Sequence, residues 1–597
     1  MGVVDEEKEG SSASVPLERR GKEVWEIEAE AEAEAEAEAI EPNVREVEKL
    51  LDYIFSDGKL LLEALIHPSF CPVKKCISYE RLEYIGDSVL NLLVARELFF
   101  LYPELSPGLL SKLRATNVDN EKLARVAVKH GFHHYLRHKV PRLNEQIQEF
   151  SREILDYPIH SNGLIDTPRA LANIVESLVG AVFVDSLSSL ETVWQAIKGL
   201  LEPIIYLETL GKHPVTQLFE FCQKKGLQPR FVKDSWSENA AVDVFIGDKL
   251  VGTATCGVKK EIAQNRAAKA ALDLFEENKN QLALLISELT GVVDKEEEDS
   301  SPSVIEEERV KKVWEIKAEA EEVEPNVREV QEILDYIFKD DKLLLEALVH
   351  PSFCLPMKKA CISYERLEYI GDSVLNLLVA RKLFFQYPEL SPGFLSKLRA
   401  ANVDNEKLAR VAVKHGFHHY LRHKSPRLNE QKIGQVSFAD LYDQIQEFSQ
   451  EILDYPIHSN GLIDTPKALA DIVEALVGAV FIDSQSSLET VWQVFKGLLE
   501  PIISLETLRT HPVTQLFEFC QKEKLELRFV KDSWNENAAV DVFIGDKLVG
   551  TATCEAKKEI AQNRAAKAAL DYLKVSECVL DPKSVMRMHT KQKLTPW

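Results

Sequence analysis

No apolar run in this chain approaches the ~18 residues that cross a bilayer. The N-terminus is acidic, without the basic, Arg-rich character of a signal or transit peptide. No membrane partner is expected, and a protein of the nucleus or cytoplasm is. The nine cysteines include no Cys-x-x-Cys, and an odd count over so long a chain gives no disulfide framework, which fits a reducing compartment. Positive charge is also short, with 72 Lys+Arg against 96 Asp+Glu and a net charge of −24. Taken as a whole, that would argue against a polyanionic partner. The deficit is local, however. Residues 1–39 hold 13 acidic and 4 basic side chains, and 278–323 hold 13 and 6, so these two stretches carry −16 of the −24. The alternating run from Glu28 to Ala39 reads as a solvated helix or a disordered tail.

A length of 597 residues suggests about four domains at roughly 150 residues each. The text from Val24-Trp25-Glu26-Ile27 returns at Val313-Trp314-Glu315-Ile316 and stays in step almost to the C-terminus. His67 matches His350, Glu83 matches Glu368, and Glu176 matches Glu474; copy 2 carries thirteen added residues, Lys432 to Gln444. A period of nearly 300 residues is far too long for a solenoid, so the unit itself holds two domains. Each unit opens with helical text: in copy 2, Leu367 to Phe385, Leu395 to His415 and Ala468 to Phe481. It closes with a helix over Pro512–Lys524, strands over Arg528–Trp534, Ala539–Ile544 and Lys547–Thr553, a turn at Gly545-Asp546, and an Ala-rich helix over Lys557–Leu573. The predicted unit is an all-α domain followed by an α-β-β-β-α module, present twice. Its bounds are 41–205 and 210–277 in copy 1, and 324–503 and 508–575 in copy 2. An acidic extension (1–40), an acidic linker (278–323) and a tail (576–597) flank them.

Glu368 and Asp372 stand at i and i+4 and project from one helix face. Like charges at that spacing repel, and a cation between them would compensate. Asp471 and Glu474, at i and i+3, interrupt an apolar helix, where burial of carboxylates without partners is costly. Four carboxylates with no His or Cys beside them suit a hard ion, Mg²⁺ or Mn²⁺, which could polarise a phosphodiester and lower the pKa of a water. An acidic i,i+4 pair taken alone is equally a solvated helix face.

The wording of these segments goes further. Glu-Arg-Leu-Glu-Tyr-Ile-Gly-Asp-Ser, at Glu80–Ser88 and again at Glu365–Ser373, resembles the signature of the ribonuclease III family. Pro466-Lys467-Ala468-Leu469-Ala470-Asp471-Ile472-Val473-Glu474 resembles that family's second acidic motif, in the form found in Dicer-like and plant ribonuclease-III-like members. The resemblance covers both units and implies a Mg²⁺- (or Mn²⁺-) dependent endonuclease acting on double-stranded RNA. It implies metal ligands at Glu368, Asp372, Asp471 and Glu474, with Asp372 and Glu474 catalytic and Glu365 an RNA-contacting acid. In copy 1 it carries over to Glu83, Asp87 and Glu176, the last two catalytic, and to Glu80, but Asn173 stands where the pattern has Asp. Asn offers an oxygen without charge to a site whose affinity rests on charge. Copy 2 is therefore the expected working centre. The two nuclease domains are expected to pair within one chain or across a homodimer.

The closing modules resemble double-stranded-RNA-binding domains. Their expected Lys-Lys-x-x-Lys cluster is depleted: copy 1 keeps Lys260 with Lys259 and Arg266 nearby, and copy 2 keeps Lys558 with Lys557 and Arg564. Module 1 (212–275) nets +3 and module 2 (510–573) nets −1, so weak RNA binding is expected, stronger in module 1. A module kept for protein contacts is the competing reading. It leads to a second functional reading, a catalytically weak RNA-binding or scaffold protein. Two further signals are read as ordinary. His134 with His138, and His419 with His423, are spaced as on a helix but lack a third ligand. The cysteine pairs Cys71/Cys76 and Cys354/Cys361 differ in spacing and are taken as thiols.

Overall fold

The computed structural model describes residues 41–70, 77–233, 236–277, 324–354, 362–423, 441–531, 537–555 and 557–579. The acidic extension, the linker, residues 432–440 of the added segment, most of the tail, and Cys71, Cys76 and Cys361 lie outside them. Two compact units are present. One is built from residues up to Gly86, 120–161 and 165–204; the other from 87–119, 162–164 and everything described from Ile205 onward.

In copy 2 the signature motif opens a 22-residue helix, Glu365–Gln386, and the second acidic motif lies on Lys467–Asp483, which starts directly after Pro466. The acidic helix is buried along nearly its whole length, which follows from its near-continuous Ala, Val, Leu and Ile content. The equivalent copy 1 helices are Glu80–Leu101 and Arg169–Asp185. The helical stretch expected over Leu395–His415 is two helices, Pro392–Val403 and Asn405–Lys414. Asp404 separates them: its backbone is extended and its carboxylate caps the second helix by accepting from the Lys407 N–H at 2.8 Å. That helix stops before Gly416, at φ +76°, so His419 falls in a 3₁₀ turn rather than on a regular helix. His134 sits likewise after Gly131. His138 bonds to Asn144 Oδ1 at 3.1 Å, and neither histidine pair lies on a regular helix. Cys354 is disulfide-bonded, against the expectation of a thiol; a spacing unfit for a metal clip does not exclude a disulfide. Cys222, Cys256, Cys520 and Cys554 are free.

Both closing modules are α-β-β-β-α with antiparallel sheets in the order β1-β2-β3 (Pro229–Val232, Ala241–Ile246, Lys249–Thr255) and β4-β5-β6 (Leu527–Val530, Ala539–Ile544, Lys547–Thr553). Gly545, at φ +57°, makes the β5–β6 turn. The last helix, Lys558–Val579, lies against the sheet through Ala561, Ala565, Ala566 and Ala569. Small side chains are required there: a Cβ on Gly550 would come within 2.5 Å of the Ala565 carbonyl oxygen. Among the described residues no helix is long and apolar enough to cross a membrane.

Candidate active site

Backbone proximity builds the site. A Cβ on Gly371 would lie 1.8 Å from the Glu474 carbonyl oxygen, and one on Gly478 would lie 2.1 Å from that of Leu367. The signature and acidic helices of copy 2 therefore cross in direct backbone contact, a geometry only glycine permits. Gly86 and Gly180 do the same in copy 1, at 1.8 Å from Glu176 and 2.1 Å from Leu82.

This crossing brings Glu368, Asp471 and Glu474 together, with one carboxylate oxygen of each within 4.8 Å of the others; no second such group forms among the described residues. Asp471 and Glu474 are only 6% and 8% exposed, so their charge is costly unless balanced. Lys467 supplies part of the balance, its Nζ 3.0 Å from Glu368 Oε1 and 3.0 Å from Asp471 Oδ1. Buried Tyr364 donates its hydroxyl to Asp471 Oδ2 at 3.1 Å. Asp471 Oδ1 is buried, and the Lys467 ammonium is the charge that faces it. Burial pushes all three carboxyls up, Glu474 furthest, with the charges of Asp372, Asp471 and Glu368 adding to the effect. Burial works against the Lys467 ammonium, but its bonds to Glu368 and Asp471 more than offset that and hold it charged. Three converging hard oxygens fit a hard divalent cation.

Asp372 is not part of that group. Its Oδ1 accepts from Asn376 Nδ2 at 2.9 Å, and its Oδ2 faces Arg114 of copy 1 at 3.8 Å. Asp87 is held in the same manner, by Arg399 of copy 2 at 3.8 Å. Arg366 of the copy 2 signature donates to the carbonyl oxygens of Phe99 (2.9 Å), Tyr102 (2.9 Å) and Leu105 (2.8 Å), closing the C-terminal end of the copy 1 signature helix. In copy 1, Glu83 and Glu176 are half-buried, and Asn173 donates its amide to Tyr79 Oη at 3.4 Å. Glu80 and Glu365 are exposed and accept from Ser78 and Ser363.

The residues expected to meet RNA divide in two. Lys259 is exposed, and Lys260 stands 5.9 Å over the Trp236 ring. Arg266 instead donates Nε–H to the Leu164 carbonyl at 2.7 Å, beside Asn265, which donates to Gly163. Copy 2 repeats this with Arg564 on Leu462 (2.6 Å) and Asn563 on Gly461 (2.8 Å); Arg564 also meets Glu451 at 3.1 Å, and Lys557 meets Asp464 at 2.7 Å. Arg266, Arg564 and Lys557 are thus engaged with their own nuclease domains. Nothing in the sequence marked Arg114, Arg399 or Tyr364, and Lys467 stood only as a member of the second acidic motif, with no role of its own.

The ribonuclease III domain model matches residues 80–187 and 365–485, and the double-stranded RNA binding motif matches 214–274 and 512–573. The chain is 56% identical to Ribonuclease 3-like protein 3 of Oryza sativa subsp. japonica over 42% of this chain and 78% of that protein. It is 24% identical to Ribonuclease 3-like protein 3 of Arabidopsis thaliana over 90% of this chain and 67% of that one. The nuclease domain of a ribonuclease III from Campylobacter jejuni is 27% identical, covering 30% of this chain and 97% of that one, at a TM-score of 0.21. With both motifs present twice in the expected order, the chain belongs to the ribonuclease III family.

Proposed function

We propose that the protein is an endonuclease that hydrolyses double-stranded RNA with Mg²⁺ or Mn²⁺, with copy 2 as its working centre and the two nuclease copies paired within one chain. The observation that carries this is the convergence of Glu368, Asp471 and Glu474 in copy 2. With Asp372 they would hold the ion, which would polarise the scissile phosphodiester and lower the pKa of the attacking water. Tyr364 keeps Asp471 oriented through Oδ2, while Lys467 faces Oδ1. Lys467 neutralises two of the carboxylates that would hold the ion. Glu83 and Glu176 would make a weaker copy 1 centre because Asn173 brings no charge. Glu80 and Glu365 sit at the exposed rims, where they can meet the duplex, and Lys259, Lys260 and Lys558 are the phosphate-facing cations of the closing modules. Pairing within the chain is supported by the Arg114, Arg399 and Arg366 contacts.

A second reading, a catalytically weak RNA-binding or scaffold protein, is favoured by the commitment of Arg266 and Arg564 to their own nuclease domains. Incubating the full chain with a long RNA duplex, each strand end-labelled in turn, with Mg²⁺ or with chelator, separates the two. Cleavage only with Mg²⁺ is the expected outcome, and a duplex that is shifted but never cut would favour the scaffold.

A further inference from the structure

Arg114 belongs to copy 1 by sequence, on the helix Pro107–Val118, yet its side chain is spent on copy 2. Its Nη1 donates to Ser373 Oγ at 2.6 Å and lies 3.8 Å from Asp372 Oδ2, while the guanidinium stands 5.3 Å from the centre of the Tyr369 ring. Tyr369, Asp372 and Ser373 are three residues of the copy 2 signature. The Arg114 side chain is 21% exposed, so the contact lies in a partly dry interface, where a charged donor is worth more than at a free surface.

Asp372 is the one acid of the expected quartet that does not join the carboxylate trio. Two groups hold its carboxylate: Asn376 of its own helix donates to Oδ1 at 2.9 Å, and Arg114 of the other copy is ion-paired with Oδ2 at 3.8 Å. Asn376 alone holds one oxygen and leaves the group free to turn about its last torsion. The second anchor therefore comes from outside the domain that contains the site.

We propose that Arg114 is a positioning residue for the copy 2 centre, fixing Asp372 across the boundary between copies. Copy 2 then depends on copy 1 whether or not copy 1 cuts RNA. The inference rests on the reading of copy 2 as the nuclease centre. It accounts for an intact copy 1 scaffold beside a substituted acid: the service rendered by Arg114 does not involve Asn173. Loss of a group that orients a metal ligand typically costs about 10- to 100-fold.

The interface supplies its own control. Arg399 donates to Ser88 Oγ at 2.6 Å and lies 3.8 Å from Asp87 Oδ2, the mirror of Arg114 on the opposite centre. Arg114→Ala and Arg399→Ala should loosen the pairing equally and lower the melting temperature in chelator by the same amount. They should differ in their effect on copy 2. Both are introduced into the full chain carrying Glu176→Gln, so that every cut comes from copy 2, and single-turnover rates on a labelled duplex are measured at saturating Mg²⁺. The expected result is a loss of about 10- to 100-fold for Arg114→Ala, a loss at least several-fold smaller for Arg399→Ala, and partial recovery with Arg114→Lys, which returns charge without the planar fork. In calorimetry with Mn²⁺ and no RNA, Arg114→Ala should shift the dissociation constant and Arg399→Ala should leave it near that of the parent. Equal rate losses in the two variants, or no loss with Arg114→Ala, would overturn the proposal while leaving the nuclease reading intact. If the parent does not cut at all, the nuclease reading fails. The Mn²⁺ comparison then decides alone, with equal dissociation constants for the two variants counting against Arg114.

Discussion

The two nuclease copies share one scaffold and differ at the atom where charge is needed. In both, paired glycines bring the signature and acidic helices into backbone contact, at the same 1.8 and 2.1 Å. In both, a buried tyrosine faces the first position of the second acidic motif. In copy 2, Tyr364 donates to Asp471 Oδ2 and the carboxylate's other oxygen is ion-paired with Lys467. In copy 1 the polarity reverses: Asn173 is the donor and Tyr79 the acceptor, at 3.4 Å. A substitution nearly neutral in shape exchanges an acceptor-only anion for an amide that donates, and a hard cation loses one unit of charge. The contrast shows that the helix crossing is the same in both copies while the charge beside it differs.

Removing the charge that copy 2 retains should have the largest effect. Glu474→Gln is expected to lower cleavage on the order of 100-fold or more while duplex binding survives in a gel-shift assay; Glu176→Gln should cost far less, and equal losses would erase the distinction between copies. Gly371→Ala tests the scaffold instead. Its Cβ would strike the Glu474 carbonyl, so the copy 2 helices must separate at a cost of about 1–3 kcal/mol or more, seen as a lower melting temperature and lost Mn²⁺ binding. Asn173→Asp restores the missing charge to copy 1, and calorimetry should then find added Mn²⁺ uptake, with more cutting of the second strand of an end-labelled duplex.

A smaller effect is expected with pH. Burial, and then the charges of Asp372, Asp471 and Glu368, raise the folded pKa of Glu474 above its unfolded value. The protonated acid therefore favours the fold, a contribution complete below the unfolded pKa and lost as pH rises through the folded one. Metal-free protein should melt at progressively lower temperature over that rise, and Glu474→Gln should flatten the dependence.

The acids themselves were legible in the sequence, because i,i+4 and i,i+3 spacings fix which side chains share a helix face. The meeting of the two acidic helices was legible only through resemblance, and its cause, Gly371 against the Glu474 carbonyl, gives no chemical signal in the text. Helix boundaries shifted where a single residue intervened: Asp404 divides one expected helix into two, and Gly416 removes His419 from a helical face. The RNA-facing assignments depended on exposure, which spacing does not encode. Arg266 and Arg564 looked like free cations until each was found bonded to a carbonyl of its own nuclease domain.

By itself, the sequence determined the duplication, the order of an all-helical domain and an α-β-β-β-α module, and the loss of one acid at Asn173, because each is written in local periodicity or in a single residue. The tertiary structure decided which acids converge, that Lys467 balances them, and that Arg114 of one copy anchors Asp372 of the other. Apart from Lys467 with Asp471, one helical turn apart, those are contacts between segments about a hundred residues or more apart, and only the packed cores on either side fix the distances over which their charges act.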